Sequence, residues 1–495
     1  MRARFAPLLL AGLCLLPLPQ GAAATPPDAA TLQRGVAALL TDPAAHAPFA
    51  AALGLPPAPL MAPDPPAPPF PDGPAPVLQT GRLQLALSQL AIHAGTNGHI
   101  ALIRAQTGRD DALFLQSGFT DLPTLARLAI GSGLHGLAVD GRTVTLTRPL
   151  VIWQGAGLRL GPDDRLVLSG PDGAFLLGFG RLDSAGATID TTGDSPFRPF
   201  LLTAGQGTLR VQGGTIRGLG FARSDTFGGI AVLARGLFPP DHPPIIRDVT
   251  FHDTGLVFLA GSEGARITGN RFLSPRTGGL TLSATRGALV TGNLIHDARG
   301  TAALRLRDGA TDTRLSGNII VNSARSGILA EGNLRRLTLA ANAIAGSGGV
   351  GLLLRRADCT LLSGNLIAAN GAAGIKLQET ARTRLSRNAL LLNGGSGIAL
   401  QAQAPSSRTD LSGNLLSGNR DGLSGAGLGP VTLSGDDLTG QLPRLFSGEF
   451  AQHLPAYLRA RDREGLTAFA IAASADPDAA PADAAEPCTE TTGAD

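Results

Sequence analysis

The sequence predicts an all-β chain, organised as a right-handed parallel β-helix with a small N-terminal α/β module and a C-terminal helical cap. Three observations predict it. Asparagines recur every 23 to 26 residues between about 245 and 415, glycines recur in phase with them, and each interval holds two or three short alternating strands divided by turns. A period of this length with several strands is typical of a solenoid in which each repeat forms one rung.

The two markers occupy defined places in each rung. The asparagines end a short β-type run: Asn270, Asn293, Asn318, Asn342, Asn365, Asn388 and Asn414. The glycines open an apolar strand: Gly255, Gly279, Gly327, Gly351, Gly374 and Gly397, with Ala303 in the one gap. Asparagine tolerates left-handed backbone angles and its amide can bond the next rung, so we predict a structural role for this series. A leucine-rich repeat would need a helical segment in each repeat.

Composition narrows the possible partners. Apolar residues make up 43% of the 495 residues and Gly supplies 66, about twice its usual share, so the chain is predicted to be globular and dense in turns. The formal net charge is +3, and the last 25 residues contain no base. A modestly basic body suits an anionic partner but lacks the clustered cations of a nucleic-acid-binding protein, so no nucleic acid is expected.

The N-terminus reads as an export signal. Arg2 and Arg4 precede the apolar stretch Phe5–Leu18, and small residues at 22–24 form a cleavage site. The apolar stretch is too short for a membrane span, so we expect a periplasmic or secreted protein without one. Three cysteines are too few for a disulfide framework.

Composition and pattern divide the remaining chain into segments. In order, these are a signal peptide (1–24), a short helical segment (25–53), a Pro/Ala-rich linker (54–76), the N-terminal module (77–142), the β-helix (143–440), the helical cap (441–470) and a disordered acidic tail (471–495). The cap is predicted from spaced apolar residues such as Phe450 and Leu454, and it would cover the open edge of the last rung.

Strand alternation assigns the outward side chains of the strand that follows each marker glycine. In the run from Gly374 to Gln378, Ile375 and Leu377 point inward, whereas Lys376 and Gln378 point outward. The corresponding outward pairs are Ala231/Leu233, Val257/Leu259, Thr281/Ser283, Arg305/Arg307, Leu329/Glu331, Leu353/Arg355, Lys376/Gln378 and Ala399/Gln401. When the rungs stack, these pairs form a strip that is apolar at its N-terminal end and basic further on.

The basic part of the strip is a candidate binding site. Its proposed substrate-binding residues are Arg305, Arg307, Glu331, Arg355, Lys376 and Gln378. A long groove with repeated cations suits a linear polyanion better than a small molecule, and an anionic polysaccharide such as a polyuronate is the natural candidate for an exported protein. The alternative is that these are ordinary solvent-facing side chains.

Three blocks of sequence resemble the periplasmic mannuronan C5-epimerase (alginate epimerase) family over about residues 98–425. They are ALFLQSGFTDLPTLARLA with VTLTRPLVIWQGAGLRL, GAFLLGFGRLDSAGATI with the Phe197–Phe200 run, and the Asn/Gly-marked rungs. The resemblance implies a polymer-level epimerase that uses no cofactor. In such a reaction a cation neutralises the uronate carboxylate, a base removes the C5 proton, and an acid returns a proton to the opposite face.

The family's Asp-Pro-His-Asp motif, which carries the base, is not matched. The aligned residues are Thr281, Leu282, Ser283 and Ala284, so serine stands at the histidine position. The family's arginine in the next rung falls near Asp308, with arginines at 305 and 307. The resemblance therefore implies the fold and a cationic groove, and leaves the chemistry open.

Two His-Asp pairs offer another base. His296 with Asp297, and His252 in the equivalent turn, come just before groove strands, where a carboxylate could orient the imidazole. No zinc spacing is present, so we expect no metal or cofactor. A hydrolase would need several converging carboxylates, and the strip supplies Glu331 alone, which also disfavours a lyase. The alternatives to an epimerase are a non-catalytic groove that binds or guards a polysaccharide within a secretion complex, and a structural solenoid.

Overall fold

The computed structural model of the protein describes most of the chain between residues 28 and 473. The described ranges are 28–59, 63, 65–66, 68–71, 73–95, 101, 103, 110–193, 195–220, 224–236, 239–441, 444–461 and 468–473. The predicted signal peptide lies outside them, as does nearly all of the predicted acidic tail. Within these ranges no helix has the length and apolar character needed to cross a membrane.

The protein is a parallel β-helix, which confirms the predicted fold class. Each rung contributes three strands, and the strands of successive rungs pair in parallel to form three stacks, here named stack A, stack B and stack C. The two sheets contain 26 and 13 strands, because two long strands run continuously through stacks A and B. The interior between the stacks is filled by inward Leu, Ile, Val and Ala side chains.

Stack A consists of β5 (Leu150–Ile152), β8 (Leu176–Gly178), β11 (Leu201–Ala204), β14 (Gly229–Leu233), β17 (Leu256–Ala260), β20 (Leu280–Ser283), β23 (Ala302–Arg307), the first parts of β26 (Ser326–Ala340) and β28 (Leu352–Ser363), β30 (Ile375–Gln378), β33 (Ser396–Gln401), β36 (Asp421–Ala426) and β38 (Phe446–Gly448). Stack B consists of β6 (Ala156–Leu160), β9 (Arg181–Ala185), β12 (Thr208–Gln212), β15 (Ile245–Arg247), β18 (Arg266–Thr268), β21 (Leu289–Thr291), β24 (Arg314–Ser316), the second parts of β26 and β28, β31 (Ala381–Ser386), β34 (Thr409–Ser412) and β37 (Val431–Ser434).

Stack C consists of β4 (Thr143–Leu146), β7 (Arg165–Ser169), β10 (Thr188–Thr192), β13 (Thr215–Arg217), β16 (Thr250–His252), β19 (Arg271–Leu273), β22 (Leu294–His296), β25 (Ile319–Val321), β27 (Ala343–Ala345), β29 (Leu366–Ala368), β32 (Ala389–Leu391) and β35 (Leu415–Ser417). The remaining elements are α1 (Ala29–Thr41), α2 (His46–Ala52), β1 (Val77–Arg82), α3 (Leu83–Ala94), β2 (Asp111–Asp121), α4 (Leu122–Gly131), β3 (Leu137–Asp140), α5 (Leu454–Arg461) and β39 (Phe469–Ile471).

Helices and short strands cover both ends of the stacked rungs. At the N-terminal end, β2 pairs in parallel with β5 and β6, so parallel stacking begins upstream of residue 143. The buried face of α4 joins the core there. At the C-terminal end, β38 pairs with β36, and Phe450 and Tyr457 close the core. The exposed ends of the last strands are thereby kept from pairing with other chains.

The marker asparagines form a buried ladder along the turn between stacks B and C. In each rung the side-chain amide donates to a carbonyl of the previous rung and to the side-chain oxygen of the next asparagine, except that the last, Asn414, donates to Asp436 Oδ1 at 2.7 Å. Asn342, for example, donates from Nδ2 to Leu315 O and to Asn365 Oδ1, both at 3.0 Å. The left-handed backbone angle belongs to the residue before each asparagine, such as Ala341 with φ 53°, and not to the asparagine itself.

A second, shorter ladder follows the turn between stacks C and A. Asn370, Asn393 and Asn419 bond one another in the same way and end on Gln441. Buried amides of this kind must all be paired, because a polar group left without a partner in the interior costs about 1–3 kcal/mol. The two ladders therefore fix the register of successive rungs at two of the three corners.

The predicted helical segment is a pair of helices packed on the outer face of stack C. Leu32, Val36 and Leu39 of α1 and Phe49 of α2 are buried there. They share a cluster with the outward side chains of the stack C strands, which are Val321, Ala345, Leu366, Ala368, Ala389 and Leu391.

The Pro/Ala-rich segment 54–76 is here named the proline strap, and its described residues between 63 and 70 lie against the outside of stack B. Its carbonyls accept hydrogen bonds from outward arginines of that stack: Arg266 bonds Pro63 O at 3.3 Å, Arg210 bonds Pro65 O at 2.7 Å, and Arg181 bonds Pro69 O at 3.0 Å. Phe70 lies under the guanidinium of Arg159. The segment predicted as a linker is therefore attached to the rungs at Pro63, Pro65, Pro69 and Phe70.

Candidate functional site

The outward face of stack A carries the predicted basic strip. Strand pairing aligns one row across successive rungs: Thr281, Arg305, Leu329, Leu353, Lys376 and Ala399. A second row, two residues further along each strand, contains Glu331, Arg355, Gln378 and Gln401. These two rows, with Ser283 and Arg307 at their start, are here named the groove.

The predicted outward pair Val257/Leu259 is wrong. Both side chains are in the core, and Phe258 and Ala260 point outward instead. The reason is register: Val257 pairs with Leu280, so Leu256 rather than Gly255 takes the place of the marker glycine in this rung. A shift of one residue exchanges the two faces of a strand.

Glu331 lies between two groove arginines. Arg305 Nη2 is 2.6 Å from Glu331 Oε1, and Arg355 Nη2 bonds Oε2. Burial of the carboxyl opposes its ionisation, but the hydrogen bonds and charges of the two arginines outweigh that effect and hold the pKa of Glu331 below its usual value. The carboxylate is ionised at neutral pH, and the three groups together keep one net positive charge.

Further along the groove, Lys376 is available for an anionic ligand. Among the residues the structure describes, its ammonium forms no ion pair, and it lies in the same row as Arg305. Gln378, its neighbour on the same strand, donates to Glu379 Oε1 at 3.4 Å. The Nε atoms of Arg305 and Arg355 are buried and have no hydrogen-bond partner in the described part of the chain. Lys376 therefore supplies the groove with an accessible positive charge that no described carboxylate neutralises.

A compact network of charged groups lies at the N-terminal end of the groove and is here named the terminal cluster. Ser283 donates to Asp308 Oδ2 at 2.6 Å and accepts from Arg235 at 3.0 Å. Arg307 Nη2 is 2.8 Å from Asp225 Oδ2, and Arg307 Nε is 3.2 Å from Asp308 Oδ2. The serine at the position of the family's histidine is thus tied into an arginine–carboxylate network.

Sequence reasoning missed three members of the terminal cluster. Asp225, Arg235 and Asp308 lie in turns, where alternation assigns no direction, and Asp225 and Arg235 come from rungs before the one they contact. The expectation that Glu331 is the only carboxylate at the strip is therefore wrong. The signal in the sequence was the position of Asp308, directly after the outward pair at 305 and 307.

The apolar N-terminal half of the strip is a packing surface. Leu202, Ala231 and Phe258 continue the first groove row and are at most 4% exposed. They belong to one buried cluster with Leu87 and Leu90 of α3. The accessible groove therefore begins beyond Phe258.

The structure places the candidate catalytic residues on a different face. His296 and Asp297 do contact each other, with Nδ1 and Oδ2 3.0 Å apart. However, His296 ends β22 and His252 ends β16, and both strands belong to stack C. Their row continues through Val321 to Ala345, which α1 and α2 cover. The structure therefore does not bring these histidines together with the groove cations.

We predict that acid titration distinguishes the wild type from Glu331→Gln. Because the folded-state pKa of Glu331 is lowered, its ion pairs stabilise the fold above the ordinary value of 4.5, and this contribution is lost as the pH falls through the lowered pKa. Urea denaturation at about pH 7 should therefore show a lower midpoint for Glu331→Gln, and the difference between the two midpoints should shrink as the pH is lowered below the ordinary carboxyl value. A difference that stays the same as the pH is lowered would contradict the assignment.

The comparisons with known proteins agree with this fold. A family model described as "Periplasmic copper-binding protein (NosD)" matches residues 245–428, less than half of the chain. The periplasmic alginate epimerase AlgG is similar in structure, with a TM-score of 0.64 and 17% identity over 74% of this chain and 93% of that one. A variant of AlgG gives a TM-score of 0.65, also at 17% identity, over 74% and 94% of the chains.

A more distant match is the A-module of the mannuronan C-5 epimerase AlgE4 from Azotobacter vinelandii, with a TM-score of 0.30 and 16% identity over 68% of this chain and 98% of that one. No curated protein sequence matches the chain. The protein is thus a β-helix similar to AlgG, with a segment similar to NosD. Both names describe periplasmic proteins. In the described residues, no group of three or more His, Cys, Asp or Glu side chains is arranged to hold a metal ion.

Proposed function

We propose that the protein is exported to the periplasm and binds an anionic polysaccharide, of the polyuronate class, along the groove of stack A. The observation that carries the proposal is the placement of Arg305, Arg355 and Lys376 within four consecutive rungs of one outer face. Among the described residues of the groove rows, Glu331 is the one carboxylate, and it pairs with the two arginines. Rungs are about 4.8 Å apart, which is similar to the length of one sugar ring along an extended polymer.

The finer proposal is C5-epimerisation of a mannuronan-like polymer. The groove arginines would neutralise the uronate carboxylate and so acidify the C5 proton. We assign removal of the C5 proton to the Asp308 carboxylate, which accepts a hydrogen bond from Ser283 in the region of the family's histidine, and return of a proton to the opposite face to solvent water. We assign no step to His296, Asp297 or His252, since they lie on stack C.

A non-catalytic groove that holds or guards an exopolysaccharide, in contact with other secretion proteins, is the second candidate. It is favoured by one observation: Ser283 is hydrogen-bonded to both Arg235 and Asp308, and Asp308 is also paired with Arg307, so the proposed base is already engaged within the protein. Incubation with polymannuronate followed by proton NMR separates the two, because guluronate signals arise only from epimerisation. Calorimetric binding without new signals supports the guarding role, and a neutral polysaccharide serves as the control ligand.

Reversing one groove charge tests the binding site directly. We expect Lys376→Glu to weaken polymannuronate binding about tenfold or more, because a carboxylate that repels the polymer replaces an ammonium that attracts it. A tenfold loss of affinity corresponds to ~1.4 kcal/mol of binding free energy. The matched control is Arg384→Glu, in the next strand of the same rung, which makes the same change in net charge on the exposed outer face of stack B. Isothermal titration calorimetry should show near wild-type affinity for the control, and equal losses in both variants would contradict a specific groove.

A further inference from the structure

The groove is closed at one end and open at the other. Toward the N-terminus its first row passes under α3 and becomes buried, with Phe258 4% exposed and Ala231 fully buried. Toward the C-terminus the outward residues stay partly exposed from Arg305 through Ser424 to Ser447 on β38, with the small side chain of Ala399 the one exception. The accessible length is about six rung intervals, or about 29 Å.

Two residues from the rung of β14 form the closed end. Asp225 lies in the short 3-10 turn before β14 and contacts Arg307 on β23, three rungs further along. Arg235 follows β14 and contacts Ser283 on β20, two rungs further along. Behind them, Phe227 is fully buried in the cluster that includes α3. A polymer lying in the groove would meet this wall and could not continue past it.

The chemistry of the wall differs from that of the groove. The terminal cluster contains two carboxylates, two guanidiniums and one hydroxyl, so its charge is balanced and it presents both donors and acceptors. Arg305, Arg355 and Lys376 outnumber Glu331 in the groove. Sugar hydroxyls both donate and accept hydrogen bonds, whereas uronate carboxylates only accept. The wall therefore suits terminal hydroxyls, and the groove suits the carboxylates that follow them.

We infer that the protein takes an anionic polysaccharide by a chain end, with the terminal hydroxyls against the terminal cluster and the following uronate residues along the groove. The inference rests on the proposed binding function and adds to it the part of the polymer that is bound. In this binding mode each polysaccharide chain binds one protein at the recognised end, whatever the length of the chain.

Binding stoichiometry tests the inference. Wild-type protein is titrated by calorimetry with an oligomannuronate long enough to fill the groove and with polymannuronates several times longer. One protein per chain at every length is the expected result. A number of bound proteins that rises in proportion to chain length would overturn end binding while leaving the polysaccharide-binding function intact. Absence of binding at every length would overturn the proposed function itself.

Blocking each end in turn identifies the bound terminus. One set of oligomers carries a bulky tag coupled to the reducing end by reductive amination, and the other carries the unsaturated non-reducing end that a lyase leaves. We expect one of the two changes to lower affinity about tenfold or more, because polar groups of a site lose their partners. Arg235→Ala should reduce that discrimination while keeping binding to the groove. Unchanged affinity for both modified oligomers would overturn end recognition.

Discussion

Replacing Asn342 by alanine is expected to lower the free energy of unfolding by about 3–5 kcal/mol. The side chain is 1% exposed, and its oxygen accepts from both the backbone and the side-chain nitrogen of Asn318. Its amide nitrogen also donates to Leu315 O. Alanine removes these partners and leaves several polar groups buried and unpaired in neighbouring rungs, where water cannot reach them.

Equilibrium urea denaturation measures the effect. The matched control is Asn333→Gly, because Asn333 is exposed with φ 59°, a backbone angle that glycine adopts readily. This control should change the unfolding free energy by less than about 1 kcal/mol. A similar small change for Asn342→Ala would mean that the ladder does not stabilise the rungs.

Leu39→Asp is expected to detach the α1–α2 pair from stack C. Leu39 is fully buried between α1 and the outward side chains of the stack, so aspartate would place an unpaired charge there, at a cost of several kcal/mol. Release of the helices uncovers Val321, Ala345 and Ala368. The rungs themselves keep their pairing, so the expected result is local detachment with the β-helix intact.

Limited proteolysis with circular dichroism distinguishes local detachment from global unfolding. We expect rapid cleavage within residues 28–53 of Leu39→Asp, a retained β-type spectrum, and stronger self-association through the uncovered apolar side chains. Ala38→Asp is the control, because it adds the same charge at an exposed neighbouring position of α1. Cleavage at equal rates in both variants, or loss of the β-type spectrum in Leu39→Asp alone, would contradict this picture.

The groove could be predicted from sequence because alternation within a strand is a strictly local rule. Once the marker glycines gave the phase, Arg305, Glu331, Arg355 and Lys376 followed on one face. The prediction was wrong where the phase itself changed, at Val257. There, Gly228 and Gly229 at the start of β14 and a single Gly255 before β17 do not indicate which residue takes the marker position.

Other features could not be predicted because they depend on contacts between distant parts of the chain. They are the terminal cluster, the packing of α1, α2 and the proline strap on the rungs, and the position of the histidines. Asp225 contacts Arg307 although 82 residues separate them in the sequence. His296 precedes a groove strand by only a few residues, yet the corner between β22 and β23 turns it onto another face. No local pattern encodes such a corner.

The attached proline strap changes how the rungs depend on one another. A solenoid whose rungs contact only their neighbours behaves as a one-dimensional chain, in which the ends can fray one repeat at a time. Here a single covalent segment joins α2, packed over late rungs, to hydrogen bonds on β18, β12 and β9. The stabilities of early and late rungs are thereby coupled, because local unfolding at one end also disrupts contacts of this segment near the other end. Such coupling favours cooperative unfolding of all rungs over unfolding one rung at a time.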